Sequence, residues 1–168
     1  MRLGYVSLAG RGANDRLLAQ AAALAEAAGL RLAGCVQLNT DRMGFDDCDM
    51  DLRILGGGPL VRINQRLGAG SKGCKLDPGA LEMAVARVAG RMDGAQALIL
   101  NKFGKHESLG RGFRPLIGEA LGAGIDVVLG VNRLNLAAFQ DFAGDFAQEL
   151  APQADQIMAF LAQNPASR

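Results

Sequence analysis

The sequence predicts an α/β protein, a three-layer α/β/α fold around a mostly parallel sheet of four to six strands. Two observations carry this prediction. Short apolar runs alternate with stretches whose apolar residues recur at helical spacing, the pattern of βαβ units. The 23 glycines among 168 residues are roughly twice the usual share of about 7%, and they cluster where those segments end. A strand–helix–strand crossover gives parallel, right-handed pairs.

The elements follow in order. Leu3 to Leu8 is a short apolar run closed by Gly10 and Gly12, a strand then a tight loop. From Asp15 onward, Leu17, Leu18, Ala21, Leu24, Ala25 and Ala28 recur at helical spacing. Asn14 or Asp15 is the expected cap and Gly29 the expected stop. Leu32 to Leu38 is the second strand. Residues 39–58 are polar and turn-rich, with room for an extra strand near Leu52 to Leu55. Leu60 to Leu67 alternates apolar and polar residues, which suits a half-exposed or edge strand. After the loop GAGSKGCK, Asp77 caps a helix with Pro78 at its first position. Leu81, Ala84, Val85, Val88 and Met92 form its inner stripe.

Ala95 to Leu100 reads as a buried strand, followed by the polar loop NKFGKHESLGRG and a short helix over Phe113 to Leu121. Ile125 to Val131 is the expected last strand. Asn135 is the expected cap of a helix near Leu136 to Phe142. A C-terminal helix at about 152–163 carries Ile157, Met158, Phe160 and Leu161. No linker or repeat interrupts the chain, so residues 1–168 read as a single α/β domain.

Composition narrows the function. Lys+Arg is 18 and Asp+Glu 17, a net charge of +1, without the basic excess of a nucleic-acid binder. Aromatics are 5% with no Trp, too few for stacking platforms. Three cysteines without C-x-x-C spacing suit neither a disulfide framework nor a zinc site. No signal peptide or membrane-length apolar run is present, so a cytoplasmic protein with no membrane partner is expected.

Open α/β sheets bind ligands at the carboxyl ends of their strands. The loops to watch are Ala9 to Asp15 and Asn101 to Arg114. The second carries Lys102, Lys105, His106, Glu107, Arg111 and Arg114 among glycines, a mixture suited to an anion. Glu107 is the candidate catalytic carboxylate, as a general base or a metal-positioning group, with a solvated loop glutamate as the alternative. The lone His106 cannot form a multi-histidine metal site. Gly68 to Lys75 matches the P-loop spacing, with Cys74 and Lys75 where Lys and Ser or Thr belong. Lys72 and Lys75 there read either as an anion nest or as part of a flexible turn. Asn101-Lys102-Phe103-Gly104 imitates the guanine-reading N-K-x-D motif without its Asp. Asp46, Asp47, Asp49 and Asp51 read as a solvated acidic turn rather than a cation site. Cys35 and Cys74 read as inert small thiols. Phe103 and Phe113 read as walls of a base pocket or as core.

The stretches VRINQRLGAGSKGCKLDPGAL and ALILNKFGKHESLGRGFR resemble the bacterial domain-of-unknown-function family numbered 2478. The resemblance runs from Leu3 to about Leu150. That family is similar to small P-loop nucleoside triphosphatases, and its members often lie beside molybdate-transport genes. The resemblance implies a P-loop-NTPase-like fold. It also implies a nucleotide- or phosphate-binding protein, with Mg²⁺ accompanying the nucleotide. In related triphosphatases the strand here ending Leu98-Ile99-Leu100 ends in D-E-x-G with a Glu a few residues on. Here Asn101 and Lys102 take the acidic positions, and only Gly104 and Glu107 match. These degenerate Walker motifs imply weak or no hydrolysis. On this reading Gly10, Arg11, Gly12 and Asn14 cradle phosphates, and Asn101, Lys102, Lys105 and Arg111 line the site. The alternatives are a molybdate or other oxyanion binder in metal homeostasis, and a protein-interaction module without a ligand. A homodimer is compatible with each reading.

Overall fold

The computed structural model describes residues 1–41, 48–65 and 76–163. Strand β1 (Leu3–Val6) leads to helix α1 (Ala13–Ala27), which returns to β2 (Leu32–Asp41). Gly29 ends that helix in the left-handed region, φ 80°. The Leu30 N–H donates to the Ala25 carbonyl and Gly29 to Glu26, closing carbonyls that the helix end exposes. Gly12, φ 70°, is the N-cap of α1 and no side chain caps it. The expected caps, Asn14 and Asp15, are bonded elsewhere.

β2 runs to Asp41, past the expected Leu38, because it pairs antiparallel with β3 (Cys48–Ile54) over Cys35 to Asp41. β4 (Leu60–Arg62) is the short edge strand on that side. Helix α2 (Pro78–Ala89) starts as its sequence demands, with the Asp77 carboxylate accepting from the Ala80 N–H at 3.0 Å. Leu81, Ala84 and Val88 are its buried stripe. β5 (Ala97–Phe103) is followed by α3 (Lys105–Ser108), α4 (Arg114–Gly122) and β6 (Asp126–Val131). Asn132, not Asn135, supplies the next side-chain cap: its carbonyl accepts from the Asn135 N–H at 3.0 Å, which opens a 3₁₀ turn before α5 (Leu136–Ala143). β6 is not the last strand. β7 (Ala147–Glu149) precedes α6 (Ala154–Ala162).

Among the described residues seven strands form one sheet, in the order β4-β3-β2-β5-β6-β1-β7. The strands from β2 to β7 in that row pair in parallel; β3 and β4 are antiparallel additions. The architecture is the three-layer α/β/α class, P-loop-NTPase-like. Alternate residues of β5 feed the two faces. Leu98 and Leu100 join the core under α2 and α4, while Ala97 and Ile99 join the core under α1 and α6. Opposite the carboxyl edge, Asp126 is 1% exposed and is held by the Arg2 guanidinium, which also donates to the Phe160 carbonyl.

Tyr5, the one tyrosine in a chain without Trp, is buried on β1 and donates to Glu149 Oε2 at 3.3 Å. Burial, then the neighbouring Glu149 charge, pushes its phenol above the ordinary value of 10. An absorbance titration of the phenol reads this residue alone, and its midpoint should lie above 10. A phenol raised in the folded state adds stability that is complete below the unfolded pKa of about 10. That contribution fades as the pH climbs through the folded value. Tyr5→Phe should remove this alkaline loss; a midpoint at or below 10 contradicts the burial argument.

Candidate functional site

The loops after β1 and β5 both lie at the carboxyl edge of the sheet. The loop after β1 turns on Gly10, φ 101°, and Gly12, with Arg11 exposed between them. Ser7, Gly12, Ala13 and Asn14 occupy the positions where a P-loop has its two glycines, its lysine and its serine or threonine. Asn14 is a clamp. Its Oδ1 accepts from the Leu8 N–H at 3.0 Å, and its Nδ2 donates to the Val131 carbonyl at 3.3 Å. The loop is thereby tied to the end of β6. Arg16, one turn along α1, lies close: its Nη1 would be 3.2 Å from a Cβ built on Gly12.

Asp15 joins the two loops. Its Oδ1 accepts from Asn101 Nδ2 at 3.0 Å and its Oδ2 from Asn39 Nδ2 at 2.7 Å. Asn101 Oδ1 accepts from the Gln37 main-chain N–H at 2.8 Å, and Gln37 Nε2 donates to Asn39 Oδ1 at 2.7 Å. A weaker contact, 3.4 Å, runs from Asn101 Nδ2 to Gln37 Oε1. These four side chains close a ring in which the Asp15 carboxylate is held by two amides. Asn101 and Gln37 are buried, as the satisfied half of such a network can be.

Glu107 is 4% exposed, so it is not a solvated loop residue. Its Oε2 accepts from the Gly104 N–H at 2.9 Å and its Oε1 from the Phe113 N–H at 3.1 Å. The first bond is a capping-box contact at α3; the second folds the loop back on itself. Gly112, φ 58°, makes room: a Cβ there would lie 2.2 Å from Glu107 Oε1. Arg114 also serves the loop, donating to the Glu107 carbonyl at 3.4 Å with its guanidinium 4.6 Å above the Phe142 ring. The carboxylate is thus an organiser of main chain in this structure.

Beside β5 lies a cleft of about 430 Å³. Gln37, Asn101, Lys102, Lys105 and His106 contribute to its lining. Phe113 also lines it, whereas Phe103 is wholly buried against Phe139 and Phe142 and belongs to the core. Gly10, Arg11, Gly12, Asn14 and Arg111 are outside the lining; Arg111 is exposed, its N–H bonded to the His106 carbonyl at 2.9 Å. Lys72 and Lys75, with Cys74, Asp46 and Asp47, lie outside the described residues. Asp49 and Asp51 pair with Arg62 at 2.7 and 2.9 Å, so they are not a solvated acidic turn.

Cys35 also lines the cleft, but burial pushes its thiol up to about 12. It is a protonated, poor nucleophile at neutral pH. Iodoacetamide at pH 8 should leave it unmodified in the folded chain and modify it in urea, read by peptide mass mapping. Fast native labelling of Cys35 contradicts this placement.

Among the described residues no group of three or more His, Cys, Asp or Glu side chains is placed to hold a metal. Mg²⁺, which the fold class implies, does not suit the two described positions where such folds hold it. Asn14 stands at the Ser or Thr position with both amide atoms engaged. Asn101, a neutral amide, takes the acidic position at the end of β5.

A Gly-rich turn from a parallel strand into a helix, within an α/β/α sandwich, is the P-loop-NTPase-like class of fold. The chain belongs to the family described as Protein of unknown function (DUF2478), which matches residues 3–160. It is 33% identical over 147 residues, 87% of its length, to the Molybdenum import ATP-binding protein ModC 2 of Bradyrhizobium diazoefficiens. The chain spans 16% of that relative. Its fold is similar to that of THEP1 from the hyperthermophile Aquifex aeolicus, with a TM-score of 0.63, 98% and 99% of the two chains covered, and 13% identity. No described helix is long and apolar enough to cross a membrane.

Proposed function

We propose that this chain binds a nucleotide, or another phosphate-bearing small molecule, at the loop after β1, with weak or no hydrolysis. The observation that carries the reading is the uncapped N-terminus of the 15-residue helix α1 behind Gly10 and Gly12. First-turn N–H groups and the helix dipole favour a phosphate there. Arg11 at the loop tip supplies positive charge, with Arg111 across the edge. Similarity to a protein named as ATP-binding supports a nucleotide over bare phosphate. With Ala13 for the P-loop lysine and no fitted Mg²⁺ ligands, the described residues lack the parts that accelerate phosphoryl transfer. Glu107, with both oxygens on main chain, acts as a loop organiser on this reading rather than as a general base. A single domain over 1–168 acting in the cytoplasm, as monomer or homodimer, completes the reading.

The second reading, an oxyanion such as molybdate at the same helix end, is favoured by the molybdenum-import name of that relative. A dye-based thermal shift separates the two, with ATP, GTP, ADP, molybdate, tungstate, sulfate and phosphate, with and without Mg²⁺. A ligand at about one hundred times its Kd adds roughly 2.7 kcal/mol. A shift with nucleotides alone supports the first reading, and a shift with molybdate and tungstate but not sulfate supports the second. Silence throughout leaves the interaction module as the account of the fold.

A further inference from the structure

The cleft beside β5 has a chemistry that the phosphate loop does not share. Its wall is apolar: Met50, Leu52, Ile63, Leu81 and Phe113. Its cationic residues are Lys102 and Lys105, with the His106 imidazole beside them. Among the described lining residues the one carboxylate is Glu107, and both of its oxygens already accept main-chain N–H groups. The lining amides, Gln37 and Asn101, satisfy each other and Asp15, so they make little demand on a polar ligand. No residue of the loop after β1 lines the cleft, and the Asp15–Asn39–Gln37–Asn101 ring stands between the two.

Size decides against a bare oxyanion here. The cleft holds about 430 Å³, while a tetrahedral oxyanion needs only a few times the ~30 Å³ share of one water. Pockets of this volume with mostly apolar walls suit organic molecules. Lysine ammonium groups suit one anionic group on such a molecule, as point charges.

We propose that this cleft is a second ligand site, separate from the phosphate loop, for a small amphipathic anion: an apolar or aromatic body carrying one phosphate, sulfonate or carboxylate. This goes beyond the nucleotide reading and does not depend on it. The body packs on Met50, Leu52 and Ile63, and the anionic group meets Lys102 and Lys105.

The test is methyl NMR of Met, Leu and Ile-labelled protein titrated with phenyl phosphate. Inorganic phosphate and benzyl alcohol are the part-ligand controls, and ATP is the competitor. The expected result is saturable movement of the Met50, Leu52 and Ile63 methyls with phenyl phosphate. Inorganic phosphate should leave them in place, and benzyl alcohol should bind more weakly. Removing both lysines (Lys102→Ala with Lys105→Ala) should weaken phenyl phosphate by about tenfold or more, the scale of one charge-assisted hydrogen bond. Methyls that stay fixed at millimolar phenyl phosphate overturn the proposal. So does benzyl alcohol binding equally well, because the anion is then irrelevant. ATP that displaces phenyl phosphate also overturns it, by making the cleft part of the nucleotide site. Failure of the nucleotide reading is recorded separately, as amide signals of Gly10 and Gly12 that ignore ATP.

Discussion

Gly34→Ala should cost this protein about 4 kcal/mol or more of folding stability, and much of the variant should accumulate insoluble. Gly34 sits in β2 at φ 116°, opposite Ile99 of β5. A Cβ there would lie 1.9 Å from the Ile99 carbonyl oxygen and 2.7 Å from its carbon. Both contacts are backbone, so no side chain can swing aside; the two central strands must part or β2 must change its dihedral angles. Backbone strain of this kind costs about 1–3 kcal/mol, and overpacking about 1–3 more. Gly57→Ala is the matched control. Gly57 also has positive φ, 75°, but a Cβ there meets nothing within 4 Å, so only the left-handed strain of about 1–2 kcal/mol applies. Urea denaturation of the two variants measures the difference. Equal losses would mean that β2 and β5 do not approach as described.

The second large effect belongs to Glu107. Glu107→Ala leaves the N–H groups of Gly104 and Phe113 buried without their acceptor. Each such orphan costs about 1–3 kcal/mol, so a loss of about 3 kcal/mol or more is expected in denaturant unfolding. Glu107→Gln keeps one acceptor oxygen and turns an NH₂ toward the other donor, so its loss should be smaller than that of alanine. Both variants should loosen residues 104–113, read as faster amide exchange at Gly104 and Phe113. A solvated glutamate predicts no change in either measurement. Unchanged stability together with lost ligand turnover would return Glu107 to the role of general base.

Elements whose signals are local were legible in the sequence. α2 is an example: Asp77, Pro78 and the Leu81–Ala84–Val88 stripe lie within a dozen residues of one another, and the helix begins where they place it. β5 was legible as an unbroken apolar run, though it continues three residues further, to Phe103, where Asn101 enters the polar ring. β7 was not legible. Its three residues, Ala-Gln-Glu, carry no hydrophobic pattern, and it exists because β1 offers a free edge to pair with.

The candidate site shows the same division. The glycines after β1 and the lysines after β5 are visible in any reading of the chain. Asp15 was missed as a site residue because its partners Asn39 and Asn101 are 24 and 86 positions away. The anchoring role of Glu107 did have a local signal, a Glu three residues after the Gly104 cap, but with glycine in place of the Ser or Thr that usually announces a capping box. The apolar wall of the cleft comes from β3, from Ile63 just after β4, from α2 and from Phe113 at the start of α4, and no single stretch of sequence holds it.

The Asn14 clamp has a consequence for how a ligand would arrive. By joining Leu8 to Val131, it gives the loop after β1 its shape in advance. A ligand there has little main chain to immobilise, and so little ordering entropy opposes it. Its association rate should then follow diffusion and charge rather than a slow rearrangement, and the loop would behave as a rigid socket rather than a closing hand.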